Sequence, residues 1–317
     1  MKVLITGGFG YLGGRIGQYF SSQGCDVTLG SRVQRGRPSW LREAKIVKIT
    51  WESPALLEEL CGEFDVIVHA AGVNAQECAE YPLKALEFNG VATGRILDAS
   101  IRCEVKKFIY LSTAHVYASP LTGSIDERHC LNSLHPYATS HRAAEDLVRY
   151  YNKKRDIIGI VARLSNAIGA PAYSGPNCWT LMANDLCKQA VLTKKIKLKT
   201  SGLQIRDFIT ITNLARAIMH LQNLSKEKLG DGIFNIGGQS PMRVLDIAHL
   251  IQSRCCSVLG FNPEIICTQA DSKDESNHLD FNVDKLMSTG FKLLENKIEE
   301  IDNNLIRCKK WFGSKSE

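Results

Sequence analysis

Short apolar runs rich in β-branched residues recur through the first half of the chain, and they predict buried strands. Most of these runs are apolar without alternation, which is typical of strands covered on both faces. The runs are Val3–Thr6, Val27–Ser31, Ile46–Ile49, Val66–Ala71, Phe108–Thr113 and Ile157–Leu164. The intervals between them leave room for a helix.

Segments with helical periodicity fall between the apolar runs. Gly24 and Gly62 follow directly after two of them, as expected where helices end. The predicted helices are Arg15–Gln23, Pro54–Cys61, Leu83–Arg102 and Tyr137–Lys153. Repeated alternation of strand and helix predicts an α/β fold with a doubly wound parallel sheet.

The pattern changes after Asn166. A turn-rich stretch from Gly169 to Gly175 leads into further elements. They are a helix at Trp179–Ala190, a basic strand-like run at 194–199, a strand at Ile233–Gly237, a helix at Val244–Cys255 and a polar, charged tail. We therefore expect a first domain over residues 1–165, with returning segments near 203–237, and a smaller, interleaved second domain over residues 166–317.

Composition limits the classes of function. Lys and Arg (39) exceed Asp and Glu (33) by a net charge of +6 over 317 residues, which is too mild and too evenly spread to indicate a nucleic-acid partner. No uncharged apolar run approaches the roughly 20 residues that span a bilayer, so no membrane partner is expected. The eleven cysteines lack the spacing of a zinc site or a disulfide framework. This predicts reduced, mostly buried thiols, no bound metal and a cytoplasmic protein.

The first apolar run ends in a glycine-rich turn. Gly7 permits a tight turn, Gly10 lets a phosphate approach the backbone, and Gly13 allows the next helix to pack closely on the strand. The start of that helix offers free N–H groups and a positive dipole. A glycine turn placed between a strand and an amphipathic helix predicts a dinucleotide site. The expected cofactor contacts are Gly7, Phe9, Gly10, Tyr11, Leu12 and Gly13.

The end of the second apolar run indicates which dinucleotide binds. A carboxylate there would hold the adenosine ribose and repel a 2′-phosphate, but the chain has Ser31 and Arg32, followed by Arg35 and Arg37. Guanidinium groups form forked hydrogen bonds with phosphate. We therefore expect NADP, bound by Ser31, Arg32 and Arg35, with NAD as the alternative. Arg35 and Arg37 could instead be solvated loop charges.

Further motifs follow in order along nearly the whole chain. They are His69-Ala70-Ala71-Gly72, Leu111-Ser112-Thr113-Ala114-His115-Val116-Tyr117, Pro136-Tyr137-Ala138-Thr139-Ser140, Arg163-Leu164-Ser165-Asn166, Arg206-Asp207-Phe208-Ile209 and Phe234-Asn235-Ile236-Gly237. With the glycine turn, this set resembles the extended short-chain dehydrogenase/reductase family, the NAD(P)-dependent epimerases, dehydratases and reductases of nucleotide sugars. The resemblance implies a Rossmann-type fold with a smaller C-terminal substrate domain.

The same resemblance implies a catalytic site with one departure from the family pattern. In the family, a tyrosine exchanges a proton with the sugar, a lysine four residues later lowers the tyrosine pKa and binds the nicotinamide ribose, and a Ser or Thr orients the reacting oxygen. Tyr137 and Thr113 match, but His141 stands at the lysine position. A neutral imidazole on the same helix face supplies a donor without a charge. Three hypotheses stay open: an active enzyme using His141, a slow enzyme, and a dinucleotide-binding protein without turnover.

His115 is a further candidate for acid–base chemistry. Family members that act on additional carbons often carry an acid or base at this point, and a histidine could transfer a proton there or simply line the pocket. Dehydratases of the family have an Asp-Glu pair where this chain has Ala114 and His115, which disfavours 4,6-dehydration. His69, on a buried strand end, is expected to be structural.

The resemblance also implies the substrate contacts. Asn166 and Arg206 align with positions that hold the diphosphate of a nucleotide sugar, and Asn74 would border the sugar and the nicotinamide. The other implied contacts are Ala70, Ala71 and the conformational anchor Asn89 on the cofactor side, and Thr113 and Ala114 on the substrate side. Where many relatives have Arg-Pro-Gly-Asp, this chain has Asp271-Ser272-Lys273-Asp274, in which Lys273 could substitute.

These features together predict NADPH-linked reduction of a 4-keto nucleotide sugar, with Tyr137 relaying the proton and Thr113 aligning the oxygen. The alternative is 4-epimerisation, in which hydride is taken and returned to the opposite face. The alternative of another class is a cofactor-binding regulatory protein without turnover. By resemblance, the predicted helices Leu83–Arg102 and Tyr137–Lys153 pair across a two-fold axis to form a homodimer.

Overall fold

The computed structural model describes residues 1–267 and 278–313. In chain order the strands are β1 (Lys2–Thr6), β2 (Asp26–Ser31), β3 (Lys45–Lys48), β4 (Val66–His69), β5 (Lys107–Thr113), β6 (Gly123–Ile125), β7 (Ile158–Leu164), β8 (Asn166–Ile168), β9 (Lys195–Lys197), β10 (Ile205–Thr210), β11 (Ile233–Ile236), β12 (Pro241–Arg243), β13 (Glu264–Ile266) and β14 (Leu279–Phe281). The helices are α1 (Tyr11–Ser22), α2 (Pro54–Cys61), α3 (Ala75–Glu80), α4 (Pro82–Ala85), α5 (Thr93–Arg102), α6 (Pro136–Lys154), α7 (Met182–Thr193), α8 (Ile211–Asn223), α9 (Lys226–Leu229), α10 (Val244–Leu259), α11 (Asp284–Ser288) and α12 (Lys297–Phe312).

Seven strands form the central sheet, in the order β11-β7-β5-β4-β1-β2-β3, and all of its pairings are parallel. Helices α1 and α8 pack on one face, and α2, α5 and α6 pack on the other. The strand order changes direction beside β1, which opens a crevice at the carboxyl ends of the strands. The predicted doubly wound parallel sheet is confirmed.

The predicted strands of the first half are all present, with ends that shift by at most two residues. The largest shift concerns the run Val66–Ala71, of which only β4 is a strand. Thr6 pairs with His69 at the end of the β1–β4 ladder. After Thr6 the chain leaves the sheet and enters the glycine turn. Ala70 and Ala71 therefore continue as an extended loop over the crevice.

Four of the predicted helices differ more from the structure. Helix α7 lies three residues beyond the predicted Trp179–Ala190, and α10 continues four residues past the predicted end at Cys255. The segment predicted as one helix, Leu83–Arg102, is divided into α4, a π-helical turn at Leu86–Ala92 and α5. Helix α1 begins at Tyr11 rather than Arg15, inside the glycine turn. Sequence periodicity misses this start because Gly13 and Gly14 carry no side chain to mark a face.

A second apolar core lies beyond β7. It is formed mainly by α7, α10 and α12, together with short strands of two small sheets, β12-β10-β8 and β13-β9. The small sheet β14-β6 belongs to a separate apolar cluster. Helix α12 lies in the tail that composition marks as polar, yet it buries Ile301, Leu305 and Cys308 along one face. An ion pair of 3.2 Å between Arg15 and Glu300 joins α12 to α1.

None of the helices in the two described stretches of the chain is long and apolar enough to cross a membrane. The same stretches contain no group of three or more His, Cys, Asp or Glu side chains able to hold a metal ion. All eleven cysteines are free, and six of them are buried.

Candidate active site

A continuous cleft runs along the carboxyl ends of the central strands. One part, a cavity of about 520 Å³, lies over the glycine turn and the end of β2; we call it the dinucleotide cavity. The second part, about 440 Å³, lies against β5 and α6; we call it the reaction cavity. Tyr11, Leu12 and the loop 70–74 line both cavities, so an elongated ligand can extend from one into the other.

The glycine turn has the geometry of a phosphate cradle. Gly7 has a φ of +64°, and a Cβ at this position would lie 2.8 Å from the carbonyl oxygen of Ala70. A Cβ on Gly13 would lie only 2.3 Å from the Gly7 oxygen, so α1 starts in direct contact with the turn. The first helical hydrogen bond ends on the Gly10 carbonyl at 3.1 Å, which leaves the N–H groups of residues 11–13 free. The cradle therefore fits the phosphates of a dinucleotide.

Two arginines from the end of β2 line the dinucleotide cavity. The guanidinium carbon of Arg32 lies 5.2 Å from the ring centre of Phe88, and that of Arg35 lies 4.9 Å from the ring centre of Phe9. A guanidinium held over an aromatic ring keeps N–H donors for an anion. Arg37, in contrast, lines neither cavity.

The opposite wall of the dinucleotide cavity comes from a segment that sequence analysis does not assign to the site. Tyr173 and the residues 175–177 line the cavity. The Tyr173 hydroxyl donates to the Phe9 carbonyl at 3.0 Å, and its ring stacks on Trp40 at 5.6 Å. Glycines and prolines predict turns here, but they carry no signal for a contact that spans 164 positions of sequence.

Tyr137 and Thr113 come together in the reaction cavity. Thr113 is the last residue of β5 and Tyr137 lies in the first turn of α6; the Thr113 hydroxyl is close enough to favour the ionised form of Tyr137. Helix α6 begins here because Pro136 fits the first helical position and His135 accepts the Tyr137 N–H at 3.2 Å. The strand end and the helix start thus place both predicted catalytic groups on the same cavity.

His141 faces the same cavity, and burial keeps it neutral. Its ring centroid lies 4.5 Å from that of Tyr137. Burial lowers the pKa of His141 to about 4, and His115 contributes in the same direction. Burial also raises the pKa of Tyr137 to about 12, and the neighbouring Thr113 hydroxyl acts in the opposite direction. At neutral pH, His141 therefore gives Tyr137 no positive charge.

Tyr110 of β5 forms a hydrogen bond with the His141 imidazole on the side away from the cleft. Tyr110 Oη lies 2.7 Å from His141 Nδ1, and both residues are buried. The other ring nitrogen, Nε2, is on the side of Gly72 and lies 3.9 Å from the position that a Cβ of Gly72 would take. Gly72 belongs to the loop that lines both cavities, so Nε2 is the nitrogen turned towards the cleft.

His115 and Ala114 line the reaction cavity beside Thr113. Burial lowers the pKa of His115, and the neighbouring Arg206 contributes in the same direction. A neutral His115 can accept a proton at pH 7. None of the described residues that line this cavity is Asp or Glu, which agrees with the sequence argument against 4,6-dehydration.

Asn89, expected as a conformational anchor on the cofactor side, lies behind the cleft and lines neither cavity. Its Oδ1 accepts the Val73 N–H at 2.8 Å and its Nδ2 donates to Ser140 Oγ at 3.0 Å. With 1% of its surface exposed, Asn89 anchors the loop between β4 and α3. His69 is held between two threonine hydroxyls at 2.8 and 2.9 Å, consistent with the structural role expected for it.

Asn74 and Asn166 line the reaction cavity from two sides. Asn74 caps α3 by accepting the Glu77 N–H at 2.9 Å, and it also lines the dinucleotide cavity. Asn166 begins β8, and its amide donates to the Asp207 carbonyl at 3.0 Å. Sequence analysis does not identify Ser165, Thr180, Leu181 and Met182, which complete this wall.

Arg206 stands where the reaction cavity meets a third cavity of about 300 Å³. Lys197 and Lys199, from the basic run at 194–199, line this third cavity. Among the described residues, a ligand that extends from the reaction cavity past Arg206 would therefore meet three positive charges and one negative charge, that of Asp185. The predicted contact Lys273 lies outside the described residues.

A family comparison agrees with this arrangement. The model of the NAD dependent epimerase/dehydratase family matches residues 3–237. The chain belongs to this family. The resemblance to extended short-chain dehydrogenase/reductases is confirmed, and the NAD-dependent epimerase/dehydratase family accounts for the order of motifs along the chain.

Individual members of the epimerase/dehydratase family are distant relatives. A candidate UDP-glucose 4-epimerase of Methanocaldococcus jannaschii is 24% identical over 294 residues, which cover 92% of each chain. The human dTDP-D-glucose 4,6-dehydratase is 30% identical over 197 residues, which cover 60% of this chain and 53% of the human protein. This chain thus spans about half the length of the human relative.

Solved structures of epimerases share the fold of this family member. The UDP-glucose 4-epimerase of Thermotoga maritima with UDP-glucose has a TM-score of 0.81 at 18% identity, covering 98% of this chain and 99% of that chain. The UDP-glucuronic acid 4-epimerase of Bacillus cereus, in complex with UDP-glucuronic acid and NAD, has a TM-score of 0.80 at 20% identity, covering 98% and 100%.

Proposed function

We propose that this protein catalyses hydride transfer at C4 of a nucleotide-linked hexose, with 4-epimerisation as the net reaction. The observation that carries the proposal is the pairing of Tyr137 and Thr113 in a cavity continuous with the glycine turn. A nicotinamide dinucleotide bound in the cleft supplies the hydride acceptor and donor. The chain itself moves the proton, with the Tyr137 phenol acting at the C4 oxygen and the Thr113 hydroxyl holding that oxygen.

The third cavity supports a nucleotide sugar as the substrate. A hexose in the reaction cavity would place its diphosphate beside Arg206, where a guanidinium can form charge-assisted hydrogen bonds. The nucleoside would then enter the cavity lined by Lys197 and Lys199. The epimerases of Thermotoga maritima and Bacillus cereus, which share the fold, were solved with UDP-glucose and with UDP-glucuronic acid and NAD.

NADPH-linked reduction of a 4-keto sugar is the second candidate function. It is favoured by Arg32 and Arg35, which line the dinucleotide cavity where an NAD-type site would have a carboxylate. The two reactions differ in their use of the cofactor, because epimerisation regenerates it and reduction consumes it.

Incubation with UDP- and dTDP-linked hexoses and their 4-keto forms separates the candidates. Epimerisation is expected to interconvert C4 epimers without net change in nicotinamide absorbance, whereas reduction would consume NADPH stoichiometrically. Retention of the dinucleotide without turnover on any of these sugars would instead favour the regulatory protein. Failure to bind NAD(H) or NADP(H) would exclude all three functions.

The cofactor preference can be tested at the end of β2. We propose NADP as the preferred dinucleotide, so Ser31→Asp with Arg32→Ala is expected to shift the ratio of NADPH to NADH affinity about 10- to 100-fold towards NADH, since hydrogen bonds to a charged group contribute about 1.5–3 kcal/mol. Binding titrations measure this ratio. Arg37→Ala, outside the cavity, is the control and should leave the ratio unchanged. An unchanged ratio in the double variant would refute the 2′-phosphate assignment.

His141→Lys tests how the absence of a positive charge at position 141 affects the Tyr137 pKa and turnover. An ammonium near Tyr137 is expected to lower the phenol pKa from about 12 by about one to two units, because an opposite charge at short range favours the ionised form. Turnover in the oxidative direction at neutral pH should then rise about ten-fold or more, as measured by pH–rate profiles.

His141→Gln is the matched control for the lysine variant, since it keeps a donor without a charge and should leave the pH profile in place. Turnover by the native protein excludes the regulatory hypothesis. Activity confined to the lysine variant would show that the native protein is not a working enzyme.

We also propose that two copies pair through the α4–α5 and α6 surface. Large apolar side chains are exposed there, namely Leu83, Leu86, Val91, Leu147 and Tyr150. Such a cluster on adjoining helices indicates an interface, and a second copy fits the pairing implied by the sequence resemblance. Sedimentation is expected to show a dimer at micromolar concentration, and Leu86→Glu with Leu147→Glu should yield a monomer. A native monomer would contradict the proposal.

A further inference from the structure

A neutral histidine at the lysine position can donate a hydrogen bond into the cleft in only one of its two tautomers. With the proton on Nε2, His141 presents a donor to the side of Gly72, where the two cavities meet. With the proton on Nδ1, the same edge presents an acceptor. Sequence spacing cannot decide between these forms, because the decision depends on what contacts the other nitrogen.

The contacts of Tyr110 decide the tautomer. Its side chain is 1% exposed, and its hydroxyl has one hydrogen-bond partner within residues 1–267 and 278–313, the Nδ1 atom of His141 at 2.7 Å. If Nδ1 carried the proton, the Tyr110 hydroxyl proton would be buried without an acceptor, which is costly. If Tyr110 donates to Nδ1, its hydroxyl is satisfied and the imidazole proton resides on Nε2.

The groups around Tyr110 keep its hydroxyl protonated, so that it can donate a hydrogen bond. Burial, followed by the charge of Glu145, raises the pKa of Tyr110 well above its ordinary value. Glu145 lies one turn beyond His141 on α6 and pairs with Arg163 at 2.7 Å. His69, on the other side, stacks on the Tyr110 ring at 5.9 Å and is neutral, because burial lowers its pKa to about 3.

We propose that Tyr110 is a positioning residue that fixes His141 as the Nε2–H tautomer, so that a neutral donor faces the nicotinamide ribose where relatives have a lysine. The inference rests on the proposed function only in naming the ribose as the acceptor. In this proposal, the buried Tyr110 of β5 makes the histidine at position 141 compatible with dinucleotide binding.

Histidine ¹⁵N NMR on the dinucleotide-free protein tests the tautomer without any turnover. The His141 signals, assigned by their loss in His141→Gln, are expected to show a protonated Nε2 and an unprotonated Nδ1 at neutral pH. In Tyr110→Phe both signals should move towards each other as the two tautomers mix. A protonated Nδ1 in the native protein, or an unchanged pattern in Tyr110→Phe, would overturn the proposal.

A double-mutant cycle separates positioning from a general structural role. Tyr110→Phe is expected to weaken NADPH binding about three- to ten-fold, the range for one hydrogen bond. In the His141→Lys background the same change should have no effect on affinity, because an ammonium has no tautomers. Equal weakening in both backgrounds would overturn the proposal. A native protein that binds NADPH but converts no sugar would disprove the proposed function and leave the tautomer result intact.

Discussion

Replacing Tyr137 by Phe is expected to lower turnover by roughly 10²–10⁴-fold, the usual contribution of a general acid–base group. The phenol lies in the reaction cavity beside Thr113. Its loss removes the proton exchange at the C4 oxygen while leaving the cavity shape nearly unchanged. We therefore expect kcat to fall and KM to change little, as measured with the sugar nucleotide that the native protein turns over.

The pH dependence of the same variant identifies the group. Burial raises the pKa of Tyr137 to about 12, so in the native protein the ionised fraction, and with it the oxidative rate, should increase about ten-fold per pH unit below that value. The Tyr137→Phe protein should lack this rise. If the variant keeps the rate but loses the rise, His115, which is neutral throughout this pH range, becomes the better candidate for the proton transfer; if it keeps both, Tyr137 is not the titrating group.

Tyr173→Phe is the matched control for Tyr137→Phe. Its hydroxyl donates to the Phe9 carbonyl in the wall of the dinucleotide cavity, away from Thr113. We expect this change to weaken cofactor binding modestly and to leave the chemical step in place. An equal loss of kcat in both tyrosine variants would indicate a general disturbance of the cleft instead of a lost proton-transfer group.

The central sheet and the glycine turn could be predicted because their signals are local. Buried parallel strands appear as uninterrupted apolar runs, and the geometry of Gly7 and Gly13 follows from the absence of a Cβ. The positions of Tyr137 and Thr113 could also be predicted, because the strand end and the helix start are each marked in the sequence. Pro136 fixes the first turn of α6 in this way.

Features that depend on contacts between distant segments could not be predicted. The bond between Tyr110 and His141 joins residues 31 positions apart, and no pattern in either segment signals it. Asn89 has a side chain suited to binding a ligand, but its three amide hydrogen bonds within the protein hold it behind the cleft. Sequence analysis does not predict helix α12, because the residues of its charged face dominate the composition of the tail.

The ion pair between Arg163 and Glu145 is where we expect the largest effect on stability. Their side chains are 2% and 0% exposed, and Arg163 Nη2 lies 2.7 Å from Glu145 Oε2. Arg163 also donates to the Tyr117 hydroxyl at 2.8 Å, and Ser112 donates to Glu145. The pair therefore connects β5, β7 and α6 directly behind the reaction cavity.

Arg163→Leu is expected to lower the free energy of unfolding by about 3–5 kcal/mol, because it leaves a buried carboxylate without its counter-charge. Denaturant unfolding measures the loss. Glu145→Leu combined with Arg163→Leu should recover much of it, since removing both charges also removes the desolvation cost of the pair. Arg102→Leu, which breaks the exposed contacts to Glu58 and Asp98, is the control and should change stability little. A double variant as unstable as Arg163→Leu would show that the shape of this site, and not the pairing of its charges, determines the stability.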